Sequence, residues 1–185
     1  MRPVAAPFID EWRQPPLVVA RISCMGDERE AFLCGTSFFG GLPAQVVSAV
    51  AANLKERTLV AGEQLFAEGE CGTSMYLVRS GELIIQRHAA DGTQVRLLMM
   101  RPGDHFGVTA LIEMEPRAFS CCAEKDARLY ELTNADLYRL YKSDMKSYLL
   151  VVQNINRELC RRLRKGAQRI ASLEDLLHAH GVPRP

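Results

Sequence analysis

Apolar and polar positions follow two different periods along the chain, and the change of period marks three zones. The first, residues 1–37, carries Pro3, Pro7, Pro15 and Pro16 with little periodicity. It reads as an extended arm followed by a short helix near residues 27–34. Residues 38–132 form the second zone. Its opening string, Phe38-Phe39-Gly40-Gly41-Leu42-Pro43, is turn chemistry, and apolar side chains at 46, 47, 50, 51 and 54 then give residues 44–56 a helical spacing. Beyond 57 the signal changes. Glycines at 62, 69, 72, 81, 92, 103 and 107 separate short runs of β-formers at 58–60, 75–78, 83–85, 95–98 and 129–130. Ala90-Asp91-Gly92-Thr93 is a hairpin signal between two of these runs. Short strands with turns about every ten residues predict an antiparallel jelly-roll barrel. The expected class is therefore α+β: a double-stranded β-helix with N-terminal helices and a long C-terminal helix.

The third zone, residues 133–185, is helical in pattern. Thr133 with Asp136 three residues on resembles a capping box with Asp in place of Glu. Val152, Asn156, Leu159, Leu163, Gly166, Ile170, Leu173 and Leu177 then recur in alternating steps of four and three. Such a seam suits either an amphipathic helix covering the barrel or a parallel dimer helix. Asn156 favours the second, because a buried polar residue at an a-type position specifies register. The expected dimer interface is Val152, Asn156, Leu159, Leu163, Ile170, Leu173 and Leu177.

Composition narrows the classes. A length of 185 residues allows one domain with an appendage, and 48% apolar with 24% charged residues is the balance of a chain that buries a full core. Lys and Arg total 23 against 22 acidic residues, so the chain as a whole is no polyelectrolyte. No apolar run approaches a membrane span, and the start lacks the pattern of a secretory signal. The expected location is the cytoplasm, with reduced thiols. Cysteines 24, 34, 71, 121, 122 and 160 form no CxxC pair and no metal-ligand spacing with the histidines. Cys121 and Cys122, adjacent in a strand, would face opposite sides. Met99, Met100 and the cysteines read as core.

The barrel carries a specific resemblance. Residues 61–70 (AGEQLFAEGE), 75–83 (MYLVRSGEL) and Pro102-Gly103-Asp104-His105-Phe106-Gly107 resemble the cyclic-nucleotide-binding domain family over about residues 38–170. The stretch from Phe106 to Ser120 matches that family's phosphate-binding cassette without a gap, Arg117 standing ten residues after Gly107. The resemblance implies a site built from Phe106, Gly107, Val108, Thr109, Ala110, Arg117, Ala118 and Ser120. Physical chemistry points the same way, since the Arg guanidinium is a planar charged fork suited to a phosphodiester. Its rival role is to pair with Glu113 or Glu115. The family uses a cassette Glu for the ribose hydroxyl, and here that position is Val108, which accepts nothing; Phe119 stands where the family has a small residue. The implied ligand is a cyclic nucleotide or another phosphate-containing small molecule, with cyclic AMP and cyclic GMP bound weakly or not at all.

No nucleophile elbow, zinc-protease helix or Walker loop is present, so the sequence predicts a binding protein rather than an enzyme. Two classes remain. One is a homodimeric regulatory sensor or scaffold that signals through a partner protein. The other is a DNA-associated regulator of the catabolite activator type. Only 16 residues follow Arg169, too few for a helix-turn-helix unit, so sequence-specific DNA binding is not expected. Arg157, Arg161, Arg162, Arg164, Lys165 and Arg169 against Glu158 form a basic face that an acidic effector could meet.

Overall fold

The computed structural model describes residues 28–89 and 91–180, so the expected arm over 1–27 and the tail over 181–185 lie outside the described residues. Two short helices lead: α1 (Glu28–Cys34) and α2 (Ala44–Ala51). Eight strands follow, β1 (Lys55–Leu59), β2 (Gln64–Phe66), β3 (Ser74–Ser80), β4 (Leu83–His88), β5 (Gln94–Met100), β6 (His105–Phe106), β7 (Ser120–Ala123) and β8 (Ala127–Thr133). Helix α3 (Val108–Glu113) interrupts them after β6, and α4 (Asn134–Ser143) and α5 (Met145–Ala179) close the described chain. The strands form two antiparallel four-stranded sheets in the orders β1-β8-β3-β6 and β2-β7-β4-β5. This is the expected jelly roll.

The alternation of side chains explains its two cores. On β3, Tyr76 and Val78 face the barrel interior with Leu83, Ile85, Phe106, Cys121 and Leu129. Met75 and Leu77, on the opposite side, join a second core with Leu33, Val47, Val50, Leu111, Leu137, Val151 and Ile155. Helices from both ends of the chain thus share one core, and the boundary expected at 132 is no break in packing.

Several expectations are corrected. Helix α2 stops at Ala51 rather than running to 56, because residues 55–59 pair with β8 from Lys55↔Glu131 to Leu59↔Ala127. The lost helical turn is covered in part by Asn53, whose amide donates to the Ala49 carbonyl at 2.9 Å. Cys121 is buried and Cys122 partly exposed, as strand geometry requires, and both are unpaired thiols. Met99 on the sheet edge and Cys71 and Cys160 are exposed, so they are not core.

Thr133 and Asp136 make the capping box: the Asp136 N–H donates to Thr133 Oγ1 at 3.2 Å, and the Thr133 N–H to Asp136 Oδ2 at 2.8 Å. Helix α5 is 35 residues long, about 52 Å at 1.5 Å per residue. Its first half covers the barrel through Val151, Asn154, Ile155 and Glu158. The buried amide is Asn154, donating to the carbonyls of Phe38 (2.8 Å) and Gly40 (3.2 Å), whereas Asn156 is exposed. Val152 and Leu159 are half-buried, Leu159 against its own core, so the seam is partly used within one chain. From residue 160 to 180 every side chain is exposed, including Leu163, Ile170, Leu173 and Leu177. No described helix is long and apolar enough to cross a membrane.

Candidate functional site

The cassette is a sharp corner held at both ends. Strand β6 turns through Gly107 at φ +79°, a left-handed conformation that L side chains rarely adopt, into α3. Helix α3 ends at Met114, also left-handed at φ 56°. The chain then returns along the β2–β3 connection. The Arg117 N–H donates to the Glu70 carbonyl and the Gly69 N–H to the Arg117 carbonyl, both at 2.8 Å, and Cys71 bridges Pro116. These bonds place Arg117 with its side chain directed inward.

Arg117 is 6% exposed. Its Nη2 donates to Ser74 Oγ at 3.3 Å, and its guanidinium lies 4.3 Å from the Phe66 ring centre and 5.6 Å from that of Tyr76. Nη1 is buried with no hydrogen-bond partner. Neither Glu113 nor Glu115 pairs with it, and no carboxylate among the described residues lies within salt-bridge distance, so the rival role expected from sequence is not the one the structure shows. Two glycines make room for the group. A Cβ at Gly72 would stand 2.3 Å from Arg117 Nε, and one at Gly107 would stand 2.7 Å from Nη1. Polar bonds continue from Ser74 Oγ to Tyr76 Oη (3.1 Å), from Tyr76 Oη to Glu131 Oε1 (3.3 Å), and from Arg57 Nε to Glu131 Oε2 (2.9 Å). Burial, the largest influence on Tyr76, pushes its hydroxyl above the usual range, so it stays protonated and able to donate.

A buried cation without a counter-charge is costly, and an anion at Nη1 removes that cost. The residues present therefore fit a phosphate group. They do not offer a partner for a ribose hydroxyl at the cassette's Glu position. Val108 is 2% exposed and sits in the helix-side core with Leu111.

The other expected site residues separate. Phe106 joins the aromatic shelf, 5.5 Å from Tyr76 and 6.1 Å from Phe66 between ring centres. Ala110 is buried, and Thr109 and Ala118 are exposed. Ser120 Oγ is engaged, accepting from the Glu68 N–H at 2.9 Å. Phe119 is exposed at the rim. The sequence reading missed Gly72 and Ser74 as Arg117 partners, and Phe66 and Tyr76 as its shelf. Gly72 was marked only by its place in the turn series, and Phe66 and Tyr76 only as members of the two strings that carry the resemblance; nothing marked Ser74.

Beside the cassette, His105 is buried, its Nε2 lying 3.3 Å from Glu158 Oε1 but outside hydrogen-bond geometry. Burial, reinforced by Arg162, pulls its pKa down to about 4 from an ordinary 6.5. The unfolded chain takes this proton near pH 6.5 and the folded one only near 4. Stability is therefore fully present above pH 6.5 and falls as pH drops toward 4. Between pH 7.5 and 5 we expect a loss of about 2 kcal/mol, much of it absent in His105→Asn. Urea unfolding at the two pH values checks this; equal losses in both proteins would refute it.

Residues 56–144 match the profile of the cyclic nucleotide-binding domain. A CRP-like cAMP-activated global transcriptional regulator of Mycobacterium tuberculosis is 28% identical over 144 residues, 78% of this chain and 62% of that protein. A cAMP-dependent protein kinase regulatory subunit of Aspergillus niger is 31% identical over 111 residues, 60% of this chain and 26% of its own length. The solved catabolite activator protein of Thermus thermophilus superposes with a TM-score of 0.67 at 28% identity, over 75% of this chain and 63% of that one. The chain spans about three-fifths of the bacterial regulators it matches. Over residues 56–144, with their jelly-roll turns and cassette, the chain is similar to the cyclic nucleotide-binding domain family and shares its fold with the bacterial regulator of known structure.

Proposed function

We propose that the protein is a non-catalytic regulatory sensor that holds a phosphate-bearing small molecule at Arg117 and signals as a homodimer to a partner protein. The observation that carries the reading is the buried Nη1 of Arg117, which has no partner and is framed by Gly72, Gly107 and Ser74. The exposed run Arg164, Lys165 and Arg169 on α5 supports an acidic effector as the partner. Unpaired thiols at Cys121 and Cys122 support a cytoplasmic location.

Cyclic AMP should bind weakly. A hydrogen bond to a charged group contributes ~1.5 to 3 kcal/mol, and its loss at Val108 lowers affinity by roughly ten- to a hundredfold. Inorganic sulfate and phosphate should raise the melting temperature of the native protein and leave Arg117→Ala unmoved, since a ligand at a hundred times its Kd stabilises by about 2.7 kcal/mol. Submicromolar cyclic AMP binding by calorimetry, or equal anion effects on both proteins, would overturn the reading.

A second reading, DNA association, is favoured by the same basic run and by the transcriptional regulators among the similar proteins. In that reading phosphate contacts supply the affinity, so binding is independent of sequence and weakens steeply with salt.

A further inference from the structure

Helix α5 is joined to the cassette by an ionic cluster centred on the buried Glu158, whose two arginine partners are exposed at its edge. Glu158, on the inner face of α5, accepts from Arg162 Nε and from Arg161 Nε, each at 3.0 Å. Arg162 reaches further, and its Nη2 donates to the carbonyl oxygen of His105. Arg161 Nη2 donates to the Ser37 carbonyl at 3.4 Å, and the His105 ring packs 5.1 Å from that of Phe38. His105 stands in β6, two residues before Gly107, which itself lies against Arg117 Nη1 and the Ser74 carbonyl. One carboxylate thus ties together α5, the 37–40 turn and the strand that ends at the anion site.

Stability alone does not require such a cluster, because well-packed apolar residues of similar volume often serve as well or better. Directional bonds add a fixed register between the parts they join. Burial works to raise the Glu158 pKa, but the Arg162 hydrogen bond and charge together with the Arg161 hydrogen bond overrule it and hold it below the usual range, so the carboxylate stays ionised beside a neutral His105 at neutral pH. We propose that Glu158 is a positioning residue: with Arg162 it holds β6 and the cassette in register with α5, so that occupancy at Arg117 and the placement of α5 are coupled. Coupling of this kind is reciprocal, so whatever fixes α5 changes affinity at Arg117 by the same factor as the converse. The coupling rests on the anion-site reading; the tether does not.

The tether is tested without ligand, by amide hydrogen exchange on the full chain. Glu158→Gln keeps the shape and removes the charge. Arg162→Met removes the donor to the His105 carbonyl while Glu158 keeps Arg161. Exchange over residues 105–114 should be about tenfold faster or more in both variants, with β3 and β8 unchanged. Unchanged exchange there in either folded variant overturns the proposal. So does equal acceleration throughout the barrel, which would make Glu158 a general stabiliser. A second arm titrates inorganic sulfate and cyclic AMP into native protein and Glu158→Gln. A tenfold loss of affinity with Arg117 untouched supports the coupling, and equal affinities refute it. Binding of neither probe to the native protein counts against the anion site, while the exchange arm still decides the tether.

Discussion

Ile170→Asp should turn a dimer into a monomer. The unmodified protein is expected at twice its 20.7 kDa chain mass in light scattering at micromolar concentration, and the variant at the chain mass. The reason lies in where α5 stops burying side chains against its own barrel. From residue 160 onward no side chain is buried, and Leu163, Ile170, Leu173 and Leu177 are each more than half exposed. Most helical stability in proteins comes from packing of an apolar face, and so large an uncovered apolar stripe is unusual on a monomer. Pairing with a second copy along the seam covers the stripe and supports the helix at once. Aspartate at 170 would then be buried without a partner, costing several kcal/mol, which corresponds to a hundredfold or more in the dimer dissociation constant. Gln168→Asp, the same charge away from the seam, should leave the dimer in place. A monomeric native protein, or an unaffected Ile170→Asp, would sink the idea.

What could be read from the sequence was local or periodic. The Thr133–Asp136 capping box needs only a spacing of three, and the jelly roll needs only regular glycine turns between β-forming runs. The end of α2 could not be read, because residues 52–56 satisfy a helical pattern until β8, more than seventy residues later, offers Lys55–Leu59 a pairing partner. Asn156 attracted attention by its heptad position, whereas Asn154 is the buried amide. Its partners are carbonyls of the 37–40 turn, which no period on α5 can encode. Arg117 was legible from the cassette motif. Its surroundings were not, since Ser74 lies 43 residues away and the contact exists only after β3 and the cassette are brought together.

Val108→Glu should destabilise the protein without creating a cyclic AMP site. The family places a carboxylate at this position, so restoring it looks like a repair. The structure turns the Val108 side chain the other way, into the core formed by Met75, Leu77, Leu111 and Leu132. A glutamate there has no cationic partner among those side chains, so it must either stay charged in an apolar core or take up a proton. Burying it costs roughly 3 kcal/mol, within the range for unpaired polar groups. For a chain of this size that corresponds to a fall in melting temperature of about 6 to 12 °C. Thr109→Glu is the informative companion. Residue 109 is exposed one step along α3, so a carboxylate there stays in water and stability should hardly change. Calorimetry with cyclic AMP on all three proteins completes the test. If Val108→Glu instead keeps its melting temperature and gains tenfold in affinity, the position faces the ligand, and the assignment of Val108 to the core is wrong.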